Sequence, residues 1–353
     1  MAKIDHYLTQ MLALSGSDLH FMGGDLPRVR VHGDLKPLEN APLPANMVLD
    51  ALYEIMPPKA LERFEKFDGA DFAYSLEGHG RFRVNVLRQL NGMGAVFRGI
   101  PSKTKTMDDL RLPPAVRNLA RARNGLILVT GKTGSGKSTT LAAIIDDINT
   151  RTKGHIVTIE DPIEFVHQRK GCVVSQREIG VHTPSFASAL HSALREDPNV
   201  ILVGELRDLE TISIAVTAAE TGILVMGTLH TNGAAQTVDR IINVFPADKQ
   251  NSVRTMLSTS LRGVVSQQLL KRADGKGRTA ALEILVNNSA TANLIRQGKL
   301  DQLETTMQSG SASGMRTMDN ALQQLVDEKQ ISGREAYLHA NNKARFENLK
   351  NQA

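Results

Sequence analysis

Ile4, Leu8, Met11 and Leu12 recur at intervals of three and four near the start of the chain, and this spacing predicts an amphipathic helix. Gly16, Gly23 and Gly24 then punctuate a loop. Val29-Arg30-Val31 leads as a short strand into His32-Gly33-Asp34, and Arg81-Phe82-Arg83-Val84-Asn85-Val86 alternates polar with apolar positions, the period of a half-exposed strand. Between them Asn46 to Phe67 reads as helix, interrupted at Pro57-Pro58. Residues 1–100 are therefore expected to form a mixed α/β domain. Pro101-Ser102-Lys103-Thr104-Lys105-Thr106 is polar and aperiodic, so a linker and hinge are expected over 101–109. From about 110 the pattern changes. Leu126-Ile127-Leu128-Val129, Ile156-Val157-Thr158-Ile159, Val200-Ile201-Leu202-Val203 and Ile223-Leu224-Val225-Met226 are short buried-strand runs, and Lys137 to Ile148 is a helical stretch. Such alternation predicts an α/β domain over 110–353 with a parallel sheet covered by helices on both faces. After about 287 helix dominates, with a flexible break at Gln308-Ser309-Gly310-Ser311-Ala312-Ser313-Gly314.

Composition narrows the class. A chain of 353 residues with 41% hydrophobic content has room for two domains with real cores. Cys172 is the single cysteine, which excludes an internal disulfide and a Cys-x-x-Cys zinc or redox site and points to a reducing, cytoplasmic setting. The polar N-terminus does not read as a signal peptide, and no apolar run reaches the roughly 18 residues of a membrane span. Lys plus Arg number 42 against 37 Asp plus Glu, a net charge of +5. With 4% aromatics and no Trp the chain offers few platforms for stacking bases, so no nucleic-acid partner is expected and a nucleic-acid translocase is disfavoured.

The strongest chemical signal is Gly131-Lys132-Thr133-Gly134-Ser135-Gly136-Lys137-Ser138, a P-loop pattern lying between an apolar strand and a helix. Gly131, Thr133, Gly134, Ser135, Gly136, Lys137, Ser138 and Thr139 are the expected nucleotide-binding residues. Glycines let backbone N–H groups turn onto phosphate oxygens, Lys137 neutralises β/γ charge, and Ser138 can ligate Mg²⁺. No Asn-Lys-x-Asp guanine-reading sequence is present, so ATP is preferred. Glu205, directly after the Val200–Val203 run, is the expected base that polarises water for attack on the γ-phosphate. Gly204 stands where many P-loop enzymes carry a metal-holding Asp.

Several segments together resemble the secretion ATPases of the type II and type IV pilus superfamily, most closely the PilT-type pilus-retraction class. They are Ser17-Asp18-Leu19-His20 and Arg81-Phe82-Arg83-Val84-Asn85 in the N-terminal part, Thr158-Ile159-Glu160-Asp161-Pro162-Ile163-Glu164 as the Asp box, Leu194-Arg195-Glu196-Asp197-Pro198 before the Walker B strand, and Gly227-Thr228-Leu229-His230-Thr231 as the His box. The resemblance implies a PAS-like N-terminal domain, a RecA-like P-loop ATPase domain with a helical C-terminal extension, and a hexameric ring. It implies that Glu164 and His230 join Glu205 in catalysis, that Glu160 and Asp161 help Ser138 with Mg²⁺, and that Arg81, Arg83, Arg98 and Arg195 reach the phosphates. The implied partner is an inner-membrane pilus platform protein, with the motor peripheral on the cytoplasmic face. The expected function is pilus retraction by pilin depolymerisation and twitching motility; a related secretion or conjugation ATPase is the alternative.

Three positions depart from the family pattern. Lys132 replaces a common Pro, Ile223 stands where a second His often follows Glu220-Thr221-Gly222, and Ala290-Thr291-Ala292-Asn293-Leu294-Ile295-Arg296-Gln297 replaces the retraction signature Ala-Ile-Arg-Asn-Leu-Ile-Arg-Glu.

Overall fold

Phe82, Val84 and Val86 have no accessible surface while Arg83 and Asn85 between them are exposed, so the alternation in the sequence is the two faces of one strand. The computed structural model describes residues 2–31, 33–100 and 104–351. His32 and residues 101–103, on which the strand and linker expectations partly fell, lie outside the described residues. Contacts divide the chain into two units. One takes the chain up to 100 together with Asp161–Val166 and Glu178–His182; the other takes Thr104–Glu160, His167–Arg177 and the rest from 183.

The first unit contains α1 (Asp5–Ala13), β1 (Asp18–Met22), β2 (Arg28–Val31), β3 (Asp34–Pro37), α2 (Ala45–Ile55), α3 (Pro58–Phe67), β4 (Gly69–Leu76), β5 (Gly80–Gln89) and β6 (Gly92–Ile100). Its strands form an antiparallel sheet in the order β3-β2-β1-β6-β5-β4. The α1 stripe packs as its spacing requires, with Ile4, Leu8 and Met11 fully buried and Leu12 partly so. Each such burial contributes roughly 2 kcal/mol. The helical stretch breaks at the prolines, where Pro57 caps α3 and Pro58 opens it without needing an amide partner. Arg81 on β5 meets Glu178 at 2.5 Å, and Glu178 also accepts from the Ile163 N–H at 3.2 Å. This buried carboxylate joins 161–166 and 178–182 to the first sheet.

The second unit runs α4 (Pro114–Leu119), β7 (Gly125–Thr130), α5 (Lys137–Arg151), β8 (His155–Glu160), β9 (Val173–Glu178), α6 (Phe186–Ala193), β10 (Val200–Val203), α7 (Leu209–Glu220), β11 (Leu224–Leu229), α8 (Ala234–Asn243), α9 (Gln250–Ser260), β12 (Leu261–Lys271), β13 (Arg278–Val286), α10 (Ser289–Gln297), α11 (Leu303–Ser309), α12 (Met318–Asp327) and α13 (Gly333–His339). The sheet order is β13-β12-β7-β11-β10-β8-β9. Every position of β7, β10 and β11 is buried, which requires cover on both faces.

The expected parallel sheet holds for β12, β7, β11, β10 and β8; β13 closes one side antiparallel to β12. The apolar-run reading passes over β12 because polar Ser266 and Gln267 interrupt it, although both are buried. Helices do dominate after 287. Within the break over 308–314, Ser311–Ser313 forms a 3₁₀ turn that ends at Gly314, whose φ is 78° and where a Cβ would come within 2.6 Å of the Ala115 Cβ. In the described part of the expected linker, Thr106 and Asp109 exchange two backbone-to-side-chain hydrogen bonds of 2.9 and 3.0 Å.

Candidate active site

Parallel strands end on the same edge of a sheet, and the order β7-β11-β10-β8 decides what stands beside what there. The segment 131–138 leaves β7, His230 follows β11, Glu205 follows β10, and Glu160 ends β8. Residues up to 99 positions apart in sequence, Gly131 and His230, thus come to one rim.

The loop after β7 is built for close approach. Gly131, Gly134 and Gly136 have φ of 137°, 79° and 90°, a region that glycine enters without strain. Lys137 is buried, and its Nζ donates to the carbonyls of Gly131 at 2.8 Å and Lys132 at 3.2 Å. The N-cap of α5 is Gly136, which offers no side chain to the first turn of amides. Ser135 Oγ is buried without a hydrogen-bond partner, an orphaned polar atom inside the hollow. Ser138 and Thr139 are half-buried on the first turn of α5, while Lys132, the departure from the family pattern, points into solvent.

Glu205 is held from both sides. Its Oε2 meets Arg207 Nη2 at 2.6 Å and its Oε1 meets His230 Nε2 at 3.3 Å. His230 Nδ1 in turn lies 3.5 Å from Thr133 Oγ1 of the loop. The two ring nitrogens of His230 thus face the carboxylate and the loop hydroxyl, one each. Burial pushes the Glu205 carboxyl up, but the Arg207 hydrogen bond and the charges of His230 and Arg207 outweigh it, so the group lies below its ordinary value. It is a carboxylate at neutral pH. Gly204 has a steric reason for being glycine: a Cβ there would stand 3.1 Å from the Ile159 carbonyl oxygen and 3.2 Å from the Glu160 Cα. Its carbonyl accepts from Thr228 Oγ1 at 2.5 Å, which ties the Glu205 turn to β11.

The other candidates separate. Glu160 is half-buried and accepts from Thr158 Oγ1 at 2.7 Å and Gln176 Nε2 at 3.3 Å. Asp161 and Glu164 are exposed and belong to the segment that packs with the first unit. Arg81 is half-buried on Glu178. Arg83 and Arg98 stand opposite one another across β5 and β6 on the open face of the first sheet, Arg98 bonded to the buried Asp18 at 2.7 Å and Arg83 3.8 Å from Asp71. Arg195 is exposed between α6 and the start of β10, beside Glu196, whose carbonyl meets the first residue of β8. That is the opposite rim of the sheet from the loop and Glu205.

Two functional neighbours were not expected. Asp208 caps α7 through Thr211, as the sequence suggests, yet Arg207 turns back onto Glu205 instead of joining the cap. Gln267 contacts the loop from β12; a polar residue at the end of an apolar run is its only sequence signal. The altered C-terminal signature is absorbed locally: Thr291 completes a capping box with Asn288, and the retained Arg296 reaches Ser258 on α9 at 3.2 Å.

A model of the Type II/IV secretion system protein family matches residues 2–351. The chain belongs to this family. It is 50% identical over 329 residues to the type IV pilus retraction ATPase PilT of Pseudomonas aeruginosa, covering 92% of this chain and 95% of that one. It is 51% identical over 316 residues to the twitching motility protein of Neisseria gonorrhoeae, covering 90% and 84%. A crystal structure of the pilus retraction motor PilT with bound ADP superposes with a TM-score of 0.91 at 43% identity, covering 99% of this chain and 100% of that one. As a member of the type II/IV secretion family the chain is an ATPase with the mixed α/β architecture of those structures. Among the described residues no helix is long and apolar enough to cross a membrane.

Within this family site, Arg207 has a predicted effect of its own. Arg207→Gln removes a hydrogen bond and a charge that lower the Glu205 carboxyl while leaving the burial that raises it. The acid limb of the kcat profile is expected to move to higher pH. An unmoved limb would show that Arg207 does not govern this ionisation.

Proposed function

We propose that the chain is an ATP-hydrolysing hexameric motor that powers type IV pilus retraction by pilin depolymerisation, acting on an inner-membrane platform protein from the cytoplasmic face. What supports this reading is end-to-end similarity to retraction ATPases together with the grouping of the loop, Glu205 and His230 on one sheet rim.

The amides of 134–138 and Lys137 receive the phosphates, and Glu205 accepts the proton of the attacking water while His230, in contact with Thr133, registers the γ-phosphate. Mg²⁺ accompanies ATP in this scheme. Among the described residues no group of three or more His, Cys, Asp or Glu is placed to hold a metal. This donor set fits a cation that takes most of its oxygens from phosphate and water, with the Ser138 hydroxyl as ligand and Glu160 and Asp161 acting through water. When bound it would neutralise charge on the β- and γ-oxygens.

Arg81, Arg83 and Arg98, from the first unit, serve as the guanidinium donors to developing phosphate charge, with Arg195 the remaining candidate, and Glu164 orients the attacking water. Residues 101–109 are the hinge between an N-terminal domain over 1–100 and an ATPase domain over 110–353, and closure about it does the mechanical work.

A ring whose sites are completed by neighbours makes activity depend on assembly. Specific ATPase activity is expected to rise with protein concentration to a plateau that coincides with hexamer formation by light scattering. Activity independent of concentration across the dissociation range would overturn the shared-site ring.

A further inference from the structure

We propose that Gln267 is the positioning residue that holds the phosphate loop in its nucleotide-binding shape, an assignment that rests on reading 131–138 as the phosphate site. β12 runs parallel to β7 with Ser266 opposite Thr130, so Gln267 falls beside the point where β7 gives way to the loop. Its side chain is buried, and both ends of the amide are used. Oε1 accepts from Thr140 Oγ1 at 2.8 Å, and Nε2 donates to the Ser135 carbonyl at 2.6 Å. The reverse orientation of the amide would set its oxygen against the Ser135 oxygen, so the donor and acceptor roles are fixed by the partners. One residue therefore ties the apex of the loop to the first turns of α5.

The consequence for phosphate binding follows from peptide planarity. In a trans peptide the C=O of Ser135 and the N–H of Gly136 point in opposite directions in one plane. Anchoring the carbonyl on Gln267 turns the Gly136 amide toward the other side, into the hollow above α5 that the phosphate-site reading assigns to an anion. Two of the loop glycines are pressed against the same residue. A Cβ at Gly131 would lie 2.3 Å from the Gln267 carbonyl oxygen, and one at Gly136 would lie 2.8 Å from Gln267 Nε2. Gly131 is thus demanded by the strand backbone behind the loop as well as by backbone curvature, and a side chain at Gly136 would displace the Gln267 amide.

Gln267→Leu keeps the volume but leaves the Ser135 carbonyl and the Thr140 hydroxyl buried without partners. Gln267→Glu is the more informative change. Ionised, it presents only acceptors and repels the Ser135 carbonyl; protonated, its O–H donates there as the amide does.

The experiment measures ADP affinity by calorimetry in the full chain for wild type, Gln267→Leu, Gln267→Glu and Lys137→Ala. Gln267→Leu is expected to weaken ADP by about tenfold or more. The Kd of Gln267→Glu relative to wild type is expected to be large near about pH 8 and to shrink toward about pH 6 as the buried carboxyl takes up its proton. Lys137 on the loop, Glu283 on β13 and His339 beside Gln268 are common to both proteins, so the ratio cancels their titration. A purely structural role would give a ratio that does not change with pH, and that result overturns the proposal even if Gln267→Leu fails to fold. Wild-type affinity in both Gln267 variants with binding lost in Lys137→Ala also overturns it, leaving the phosphate site intact. Undiminished binding in Lys137→Ala would instead remove the phosphate-site reading on which the assignment stands.

Discussion

Lys137→Ala is expected to abolish tight ATP binding. The ammonium is buried within the loop, where it braces the carbonyls of Gly131 and Lys132, and it is the only cation in the 131–138 segment that is not turned out to solvent. It keeps the loop closed on itself, and in the proposed scheme it also supplies positive charge to the β- and γ-phosphates. Losing charge-assisted hydrogen bonds of this kind costs about 3 kcal/mol, or roughly a hundredfold in Kd. Calorimetric titration with ATP checks this, with thermal unfolding measured alongside so that loss of the brace is distinguished from loss of the fold. Affinity unchanged from wild type would remove 131–138 as the phosphate cradle.

The second large effect is expected in turnover, with binding preserved. Glu205→Gln keeps the shape of the side chain and can still hydrogen-bond Arg207 or His230, but it cannot take a proton from water. Because Arg207 and His230 keep the wild-type group ionised, the base is ready at neutral pH. Removing a positioned general base lowers rate by about 10²- to 10⁴-fold. The expected result is ATP affinity within about threefold of wild type, given that a neutral isostere retains the packing, together with hydrolysis near background. Near-normal hydrolysis would show that another group activates the water, and Glu160, the next carboxylate along the rim, would become the first to test.

Part of each unit was legible as local patterns. The stripe of α1, the proline break between α2 and α3, the alternation of β5 and the apolar runs of β7, β8, β10 and β11 each follow from a spacing that only one secondary structure can bury. Among what stayed hidden were two strands whose buried face includes polar groups: β1, with buried Asp18, in the stretch between Gly16 and Gly23 that reads as loop, and β12. Ser266 and Gln267 look like the end of an apolar run, yet both are inside because each has a partner: Ser266 Oγ accepts from the Gly233 N–H at 2.9 Å, and Gln267 serves the loop. A linear reading cannot price a buried amide as favourable without knowing what lies across from it. The same holds for Arg207, which sits next to a helix cap in sequence and next to the Glu205 carboxylate in space.

The 131–138 loop was recognisable from sequence alone as a candidate phosphate site, because that signal is carried by contiguous residues: three glycines, a lysine and the start of a helix need no distant residue to suggest an anion site. Glu205 and His230 were identifiable as strand-end residues, but their meeting was not. That was decided by the order β7-β11-β10, which brings His230 between the loop and Glu205, and by Gly204, whose missing side chain lets the Glu205 turn lie against β8. Strand order depends on which buried faces complement one another across the whole sheet, a property of the packed molecule rather than of any segment. Arg195 shows the other side of that dependence: ten residues before Glu205 in sequence, it lies on the opposite rim because a parallel strand separates the two ends by its full length.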